Sequence, residues 1–297
     1  MGRIVDVTTR GTKVRVDTGR LRLDLKDGQS VVVPLLDVEA LLVSECAIEL
    51  TGCVLVELSA RGIPVVLCGR NYMPTGILLP LTSYHAQTGV LRRQIEVHPS
   101  TRARLWQRVV KKKIENQIGL LKARGVPKEF ISPMLTPVGR GDQGNVEGIA
   151  ARAYWRALNL FSSRNRDATD ANQLLNYCYA VIHSSAARAI CAAGLHPGLG
   201  LHHCNAYNAC CLASDLMEPF RIAADHAVVA WLDEHPGDYD LRSECKAFLL
   251  KKMLGVPWKI PAGETSLHEA LSHAAISLRK CILTNTVDLD IPEALCA

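Results

Sequence analysis

Hydrophobic residues in this chain change their period near residue 90, and that change leaves room for few architectures. Up to residue 44 the apolar runs are short: 4–7, 13–17, 21–25, 31–33 and 40–43. The second and third alternate apolar with polar, the mark of a strand with one wet face. Gly11, Thr18-Gly19 and Asp27-Gly28 fall between the runs, where turns are needed. An antiparallel meander is therefore expected. Residues 51–61 read as a short helix stopped by Gly62, and 63–68 as a buried strand with Pro64 near its start.

Beyond residue 86 the period is 3.6. Trp106, Val110, Ile114, Ile118 and Leu121 make a core-facing stripe on a long helix that leaves Arg104, Arg108, Lys111 and Lys112 on other faces, and Gly125 and Pro127 end it. Asn145 caps a second helix with a stripe of Val146, Ile149, Ala153, Ala157 and Leu160. Asp170 or Asn172 opens a third, closed by Gly194 and Pro197. Further helices are expected over 222–231 and 241–254, and Ser266-x-x-Glu269 is a capping-box pattern before Leu267, Leu271, Ala275 and Leu278. The fold class is thus α+β: a small β-rich N-terminal domain at 1–75, a connector at 76–90 containing Gly76 and Pro80, and a larger all-α domain at 91–297.

Nearly half of the 297 residues are apolar (48%), enough for a sizeable core. No apolar run approaches the ~18 residues of a membrane span, and the first residues lack the apolar stretch of a signal peptide. A cytoplasmic protein is expected. The eleven cysteines contain no Cys-x-x-Cys pair and read mostly as buried small hydrophobes; Cys204, Cys210 and Cys211 fit no common zinc spacing. Net charge is a mild +5, yet residues 92–124 alone carry +8. A stripe that dense suits a polyanion, although a solvated helix face has the same composition.

The chemistry concentrates in residues 199–221, where His202 and His203 precede Asp215 and Glu218. If 206–214 is already helical, Asp215 and Glu218 stand at i and i+3 on one face, Asp225 extends that face, and His203 lies three to four turns N-terminal. Imidazole and carboxylates together can hold a divalent cation, which phosphodiester chemistry uses. Pro219 either kinks that helix and aims the carboxylates, or starts a fresh helix. Glu147, in the first turn of its helix, also has the bland reading of a carboxylate favoured by the helix dipole. No P-loop and no G-x-S-x-G occurs, and Gly139-Arg140-Gly141-Asp142-Gln143-Gly144 matches a dinucleotide fingerprint without a preceding strand.

Three blocks carry a resemblance: Glu147-Gly148-Ile149-Ala150-Ala151-Arg152-Ala153-Tyr154-Trp155, then Gly194-Leu195-His196-Pro197-Gly198-Leu199-Gly200-Leu201-His202-His203, then Asp215-Leu216-Met217-Glu218-Pro219-Phe220-Arg221. In that order they resemble the signature blocks of the CRISPR adaptation integrases, the first CRISPR-associated protein. Gly62-Ile63-Pro64-Val65-Val66 and the segment from Pro74 to Pro80 match that family's N-terminal part. The short length and the Leu-His-His-Cys-Asn wording look most like the forms accompanying Cas9-containing systems. The resemblance implies a β-rich homodimerisation domain and a helical catalytic domain. It implies Glu147, His203 and Glu218 as catalytic metal ligands for Mg²⁺ or Mn²⁺, with Asp215 and His202 as assisting residues. It also implies a small companion protein, the second CRISPR-associated protein, and duplex DNA as partners. The expected reaction joins the 3′-hydroxyl of a DNA fragment to a CRISPR repeat by transesterification, with Arg102, Arg104, Arg108, Lys111, Lys112, Lys251 and Lys252 tracking the DNA backbone. A general metal-dependent nuclease and a non-catalytic DNA-binding scaffold are the other readings of the same residues.

Overall fold

The structure is a computed structural model that describes residues 3–69, 74–78, 85–127, 129, 132, 136–159 and 170–295. Its N-terminal part holds β1 (Arg3–Val7), β2 (Lys13–Asp17), β3 (Arg20–Asp24), β4 (Ser30–Pro34), β5 (Val38–Val43), β6 (Glu49–Leu50), α1 (Gly52–Ala60), β7 (Val65–Cys68) and β8 (Pro74–Leu78). Strands β2, β3 and β4 form the expected meander. Its first turn is Thr18-Gly19, both at positive φ, as a two-residue hairpin with right-handed strand twist requires.

The outer runs do something else. β1 and β5 do not extend the meander; they pair in parallel with each other, β7 adds in parallel to β5, and β8 runs antiparallel on β7. Two four-stranded sheets result, in the orders β1-β5-β7-β8 and β4-β3-β2-β6. The physical reason is burial on both faces: Ala40, Leu41, Leu42 and Val43 are all buried, the condition parallel strands need and alternation does not reveal. Leu41, Val54, Leu58 and Val65 pack with Val14, Leu21 and Leu23 between the sheets. Of the expected connector, 76–78 belongs to β8, 79–84 lies outside the described residues, and α2 (His85–Glu96) follows.

The remainder is mostly helical: α3 (Pro99–Ala123), α4 (Val146–Leu158), α5 (Ala171–Ala192), α6 (Cys211–Leu216), α7 (Arg221–Glu234), α8 (Ser243–Leu254) and α9 (Leu267–Thr284). The periodic stripe on α3 is buried as read, with Ile118 half-buried; Leu160, from the α4 stripe, lies outside the described residues. The capping box is present in both directions at Ser266 and Glu269. Three strands too short to show a period, β9 (Trp258–Ile260), β10 (Gly263–Thr265) and β11 (Glu293–Ala294), make a small sheet, so the C-terminal part is not purely helical. Helix α5 docks on the first sheet, where Cys191 packs on Leu42, Val66 and Cys68. Beside it the Arg188 guanidinium donates to Asp6 Oδ2 at 2.8 Å and to Ser44 Oγ at 3.1 Å. No helix among the described residues is long and apolar enough to cross a membrane.

Candidate active site

Four segments meet: the middle of α3, the first turn of α4, the loop between α5 and α6, and the junction between α6 and α7. Asp142 prepares the α4 turn. It sits in a short 3-10 turn, and its carboxylate accepts the N–H groups of Val146 at 2.8 Å and Glu147 at 3.0 Å. Asn145 caps the same helix by accepting from Gly148. The glycine-rich run 139–144 is thus a capping loop for the turn bearing Glu147.

The α6–α7 junction departs from the single helix expected. Helix α6 begins only at Cys211; Glu218, Pro219 and Phe220 form a 3-10 turn with the proline in its first turn, and α7 then starts afresh. Pro219 therefore opens a new helical segment without strain. Asp215 and Glu218 consequently have separate roles. Asp215, fully buried, accepts the backbone N–H groups of Leu201 at 2.6 Å, His202 at 3.1 Å and His203 at 3.2 Å, and the His203 Nδ1 at 2.6 Å. A carboxylate only accepts, so in the neutral ring Nδ1 carries the proton and Nε2 keeps its lone pair. The hydrogen bond to Asp215 also raises the His203 pKa above its ordinary value.

His203 arrives there by loop closure, not along a helix. Gln94 of α2 holds the loop, donating to the carbonyls of His196 at 2.8 Å and Leu199 at 3.3 Å and accepting from the His196 N–H at 2.9 Å. The neighbouring His202 stacks its ring on Trp106, centroids 4.5 Å apart and planes within 4°. The two adjacent imidazoles therefore do different things, one ring facing Asp215 while the other covers α3.

Glu218 is buried and faces Lys113, whose Nζ donates to Glu218 Oε2 at 2.6 Å and to Glu147 Oε1 at 2.5 Å. Arg221 pairs with the other oxygen of Glu218 at 2.7 Å. Burial alone would raise the Glu218 carboxyl, but Lys113 and Arg221 overcome it and hold the group below its ordinary range. Burial likewise lowers and the two glutamates raise Lys113, which ends above its ordinary value. Asn116, one turn along α3, donates to the Pro219 carbonyl at 2.9 Å and fixes the junction.

Glu147 and Glu218 are thus brought together, with His203 held beside them by Asp215. Asp225 is not part of that face: it is buried behind it, accepting the hydroxyls of Tyr154 at 2.8 Å and Tyr179 at 2.5 Å. Among the described residues no three His, Cys, Asp or Glu side chains stand close enough to hold a metal together, and Cys204, Cys210 and Cys211 form no such group. The donor set nonetheless suits a hard divalent cation: two carboxylate oxygens already converge on one positive centre, and an imidazole keeps Nε2 available beneath a carboxylate, as metal-binding histidines do.

Two residues of the site escaped the sequence reading as members of it, Lys113 and Asn116. A signal was present. Lys113 lies seven residues after Trp106, two helical turns, and so on the buried stripe of α3. Of the expected DNA-tracking residues, Arg102, Arg104, Arg108 and Lys111 are exposed on α3. Arg108 is 3.6 Å from Asp288, and Lys112 pairs with Glu115. Lys251 and Lys252 lie exposed on α8, in a separate hollow with His226 and Phe248.

The family model described as CRISPR associated protein Cas1 matches residues 5–137 and 140–253. The CRISPR-associated endonuclease Cas1 of Neisseria meningitidis serogroup C is 30% identical over 230 residues, covering 77% of this chain and 76% of its own length. Among solved structures, a casposase bound to integration product superposes with a TM-score of 0.75 at 19% identity, covering 98% of both chains. A partial Cas6-RT-Cas1-Cas2 complex gives 0.76 at 18% identity and also covers 98% of both. At these identities the structural likeness speaks for the fold.

Proposed function

The chain belongs to the Cas1 family, and from that premise we propose that it is a metal-dependent DNA integrase of CRISPR adaptation with associated endonuclease activity. The observation that carries the reading is the convergence of Glu147 and Glu218, 71 positions apart in the chain, on one cationic point beside His203. In the expected reaction a 3′-hydroxyl of the incoming DNA attacks a phosphodiester at the edge of a repeat. One phosphorus–oxygen bond forms, one breaks, the hydroxyl proton leaves, and the departing oxygen takes one up. The count of phosphodiester bonds is unchanged, so no nucleotide hydrolysis is required.

Glu147, His203 and Glu218 would hold a Mg²⁺ or Mn²⁺ ion; when bound it supplies Lewis-acid polarisation of the phosphate and orients the attacking oxygen. The imidazole favours Mn²⁺ modestly. Asp215 keeps the proton on Nδ1 of His203, so Nε2 remains a ligand atom. Arg221, seated on Glu218, would add positive charge near a phosphate held at that ion. Arg102, Arg104 and Lys111 supply cations on α3 for the duplex backbone. Duplex DNA, a second copy of the chain joined through the β-rich part, and the small second CRISPR-associated protein are the partners this reading calls for, and the cytoplasm is where it would act. An integration product bound to the casposase, and a Cas1–Cas2 complex for the other structural relative, support the choice of partners.

The test is strand transfer with the companion protein, Mn²⁺, a labelled duplex with free 3′-hydroxyls and a repeat-containing target. The unmodified chain is expected to form joined product, and Glu147→Ala, His203→Ala and Glu218→Ala each to lose at least ~100-fold. Joined product from all four chains would mean the site is elsewhere. Cleavage without joining would make the protein a nuclease.

A further inference from the structure

Lys113 is the residue of the site to which the metal reading gives no role. Its side chain is 11% exposed and its partner Glu218 5%, so this is a desolvated ion pair, costly unless every charge is matched. Here the carboxylates are matched pair by pair: Glu147 and Glu218 face two cations, Lys113 and Arg221, while Asp215 is paired with His203 beside them.

That balance bears directly on metal binding. A divalent ion held by Glu147 and Glu218 would sit among the carboxylate oxygens on which the ammonium is already seated at 2.5 and 2.6 Å. Both cations cannot occupy that point, because at a few ångströms in a buried site like charges repel strongly. The residue type suits an occupant that leaves. An arginine would grip a carboxylate through a rigid fork, whereas lysine is a compact point charge on a flexible stem and readily exchanges carboxylate for water or phosphate.

We propose that Lys113 is a resident counter-cation: in the metal-free protein its ammonium occupies the ion's place, holding Glu147 and Glu218 converged, and it yields those oxygens when a divalent cation binds. Lys113 is then a positioning residue that keeps Glu147 and Glu218 from splaying apart through carboxylate repulsion. The inference rests on the metal reading given above for Glu147, His203 and Glu218, and its test separates the two.

The full chain, stripped of metal, is titrated with Mn²⁺ and the free ion followed by its electron paramagnetic resonance, in the unmodified protein, Lys113→Met and Glu218→Gln. If the ammonium fills the site in nine of ten metal-free molecules or more, removing it tightens apparent Mn²⁺ affinity about ten-fold or more. In chelator, Lys113→Met is expected to melt about 5 °C or more below the unmodified chain, and saturating Mn²⁺ to restore it. The unmodified chain supplies a second readout that needs no variant to fold: acetylation of the Lys113 amine, read by mass spectrometry, should rise when Mn²⁺ saturates. Equal or weaker Mn²⁺ binding by Lys113→Met, or a Lys113 amine no more reactive with Mn²⁺ than without, overturns the counter-cation role and leaves the metal site standing. Mn²⁺ binding that is absent from the unmodified chain, or that persists in Glu218→Gln, overturns the metal reading and this inference together.

Discussion

Asp215, Glu218 and Asp225 look alike on a helical wheel, but each meets a different fate. Asp215 is spent on three backbone N–H groups and an imidazole, Glu218 on two cations, and Asp225 on two tyrosine hydroxyls. Burial pushes the Asp225 carboxyl up to about 6, against the hydrogen bonds from Tyr179 and Tyr154 that pull it down. Its pKa is therefore higher folded than unfolded, where 3.8 is the ordinary value. The stability this contributes is fully present below the unfolded pKa and is lost as pH rises through about 6. Relative to Asp225→Asn, which cannot ionise, the unmodified chain should lose stability between about pH 4 and pH 6 by up to ~1.4 kcal/mol per pH unit. Urea unfolding of both proteins across that range measures it. A constant difference between them would mean that Asp225 is ionised throughout.

The loop between α5 and α6 is the element that makes the site, and Gly200 is its pivot. A Cβ there would collide with the His203 carbonyl oxygen and meet Asp215 Oδ2 at 2.8 Å. Neither can move aside, since one is backbone and the other is pinned by the N–H groups of Leu201 and His202. Gly200→Ala should therefore push the loop off Asp215, with a loss of roughly 100-fold in strand transfer for a displacement near 1 Å. The helices should survive, because Gly200 lies in none of them. Far-ultraviolet circular dichroism beside the joining assay separates these effects, and full joining activity in the variant would show that the loop tolerates the shift. Gln94 clamps the same loop from α2, so α2 and α6 hold it from opposite ends.

Over the whole molecule, charge is distributed more narrowly than composition suggests. The segment 92–124 carries +8, but Lys113 is turned inward, Lys112 and Arg108 have acidic partners, and Arg124 pairs with Asp233. Arg92, Arg93, Arg102, Arg104, Lys111 and Lys122 are exposed with no ion pair among the described residues, and of these Arg102, Arg104 and Lys111 are the α3 cations expected to track a duplex. Replacing all three by Ala should reduce the slope of log affinity against log salt by roughly 2–3, near 0.9 for each phosphate no longer neutralised. Fluorescence anisotropy with duplex DNA at several salt concentrations reads the slope, and an unchanged value would move the DNA path off α3. The α5 helix meanwhile ties this helical part to the N-terminal sheet through Arg188, Asp6 and Ser44, so the two parts share a buried charged contact as well as Cys191.

What could be read along the chain is what a few neighbouring residues encode. The passage from period two to 3.6, the Thr18-Gly19 hairpin, the stripe on α3 and the capping box at Ser266 are all set within one or two turns of backbone, where sterics and local hydrogen bonding act. Glu147, His203 and Glu218 were reached through blocks that resemble a family, since no local pattern joins them. Folding decided the rest. The parallel pairing of β1 with β5 needed a second buried face, and the closure of His203 onto Asp215 needed a loop clamped from α2. The inward turn of Lys113 needed carboxylates 34 and 105 positions away. A lysine among lysines reads as surface; it is the cost of leaving buried Glu218 and half-buried Glu147 unmatched that draws this one into the site.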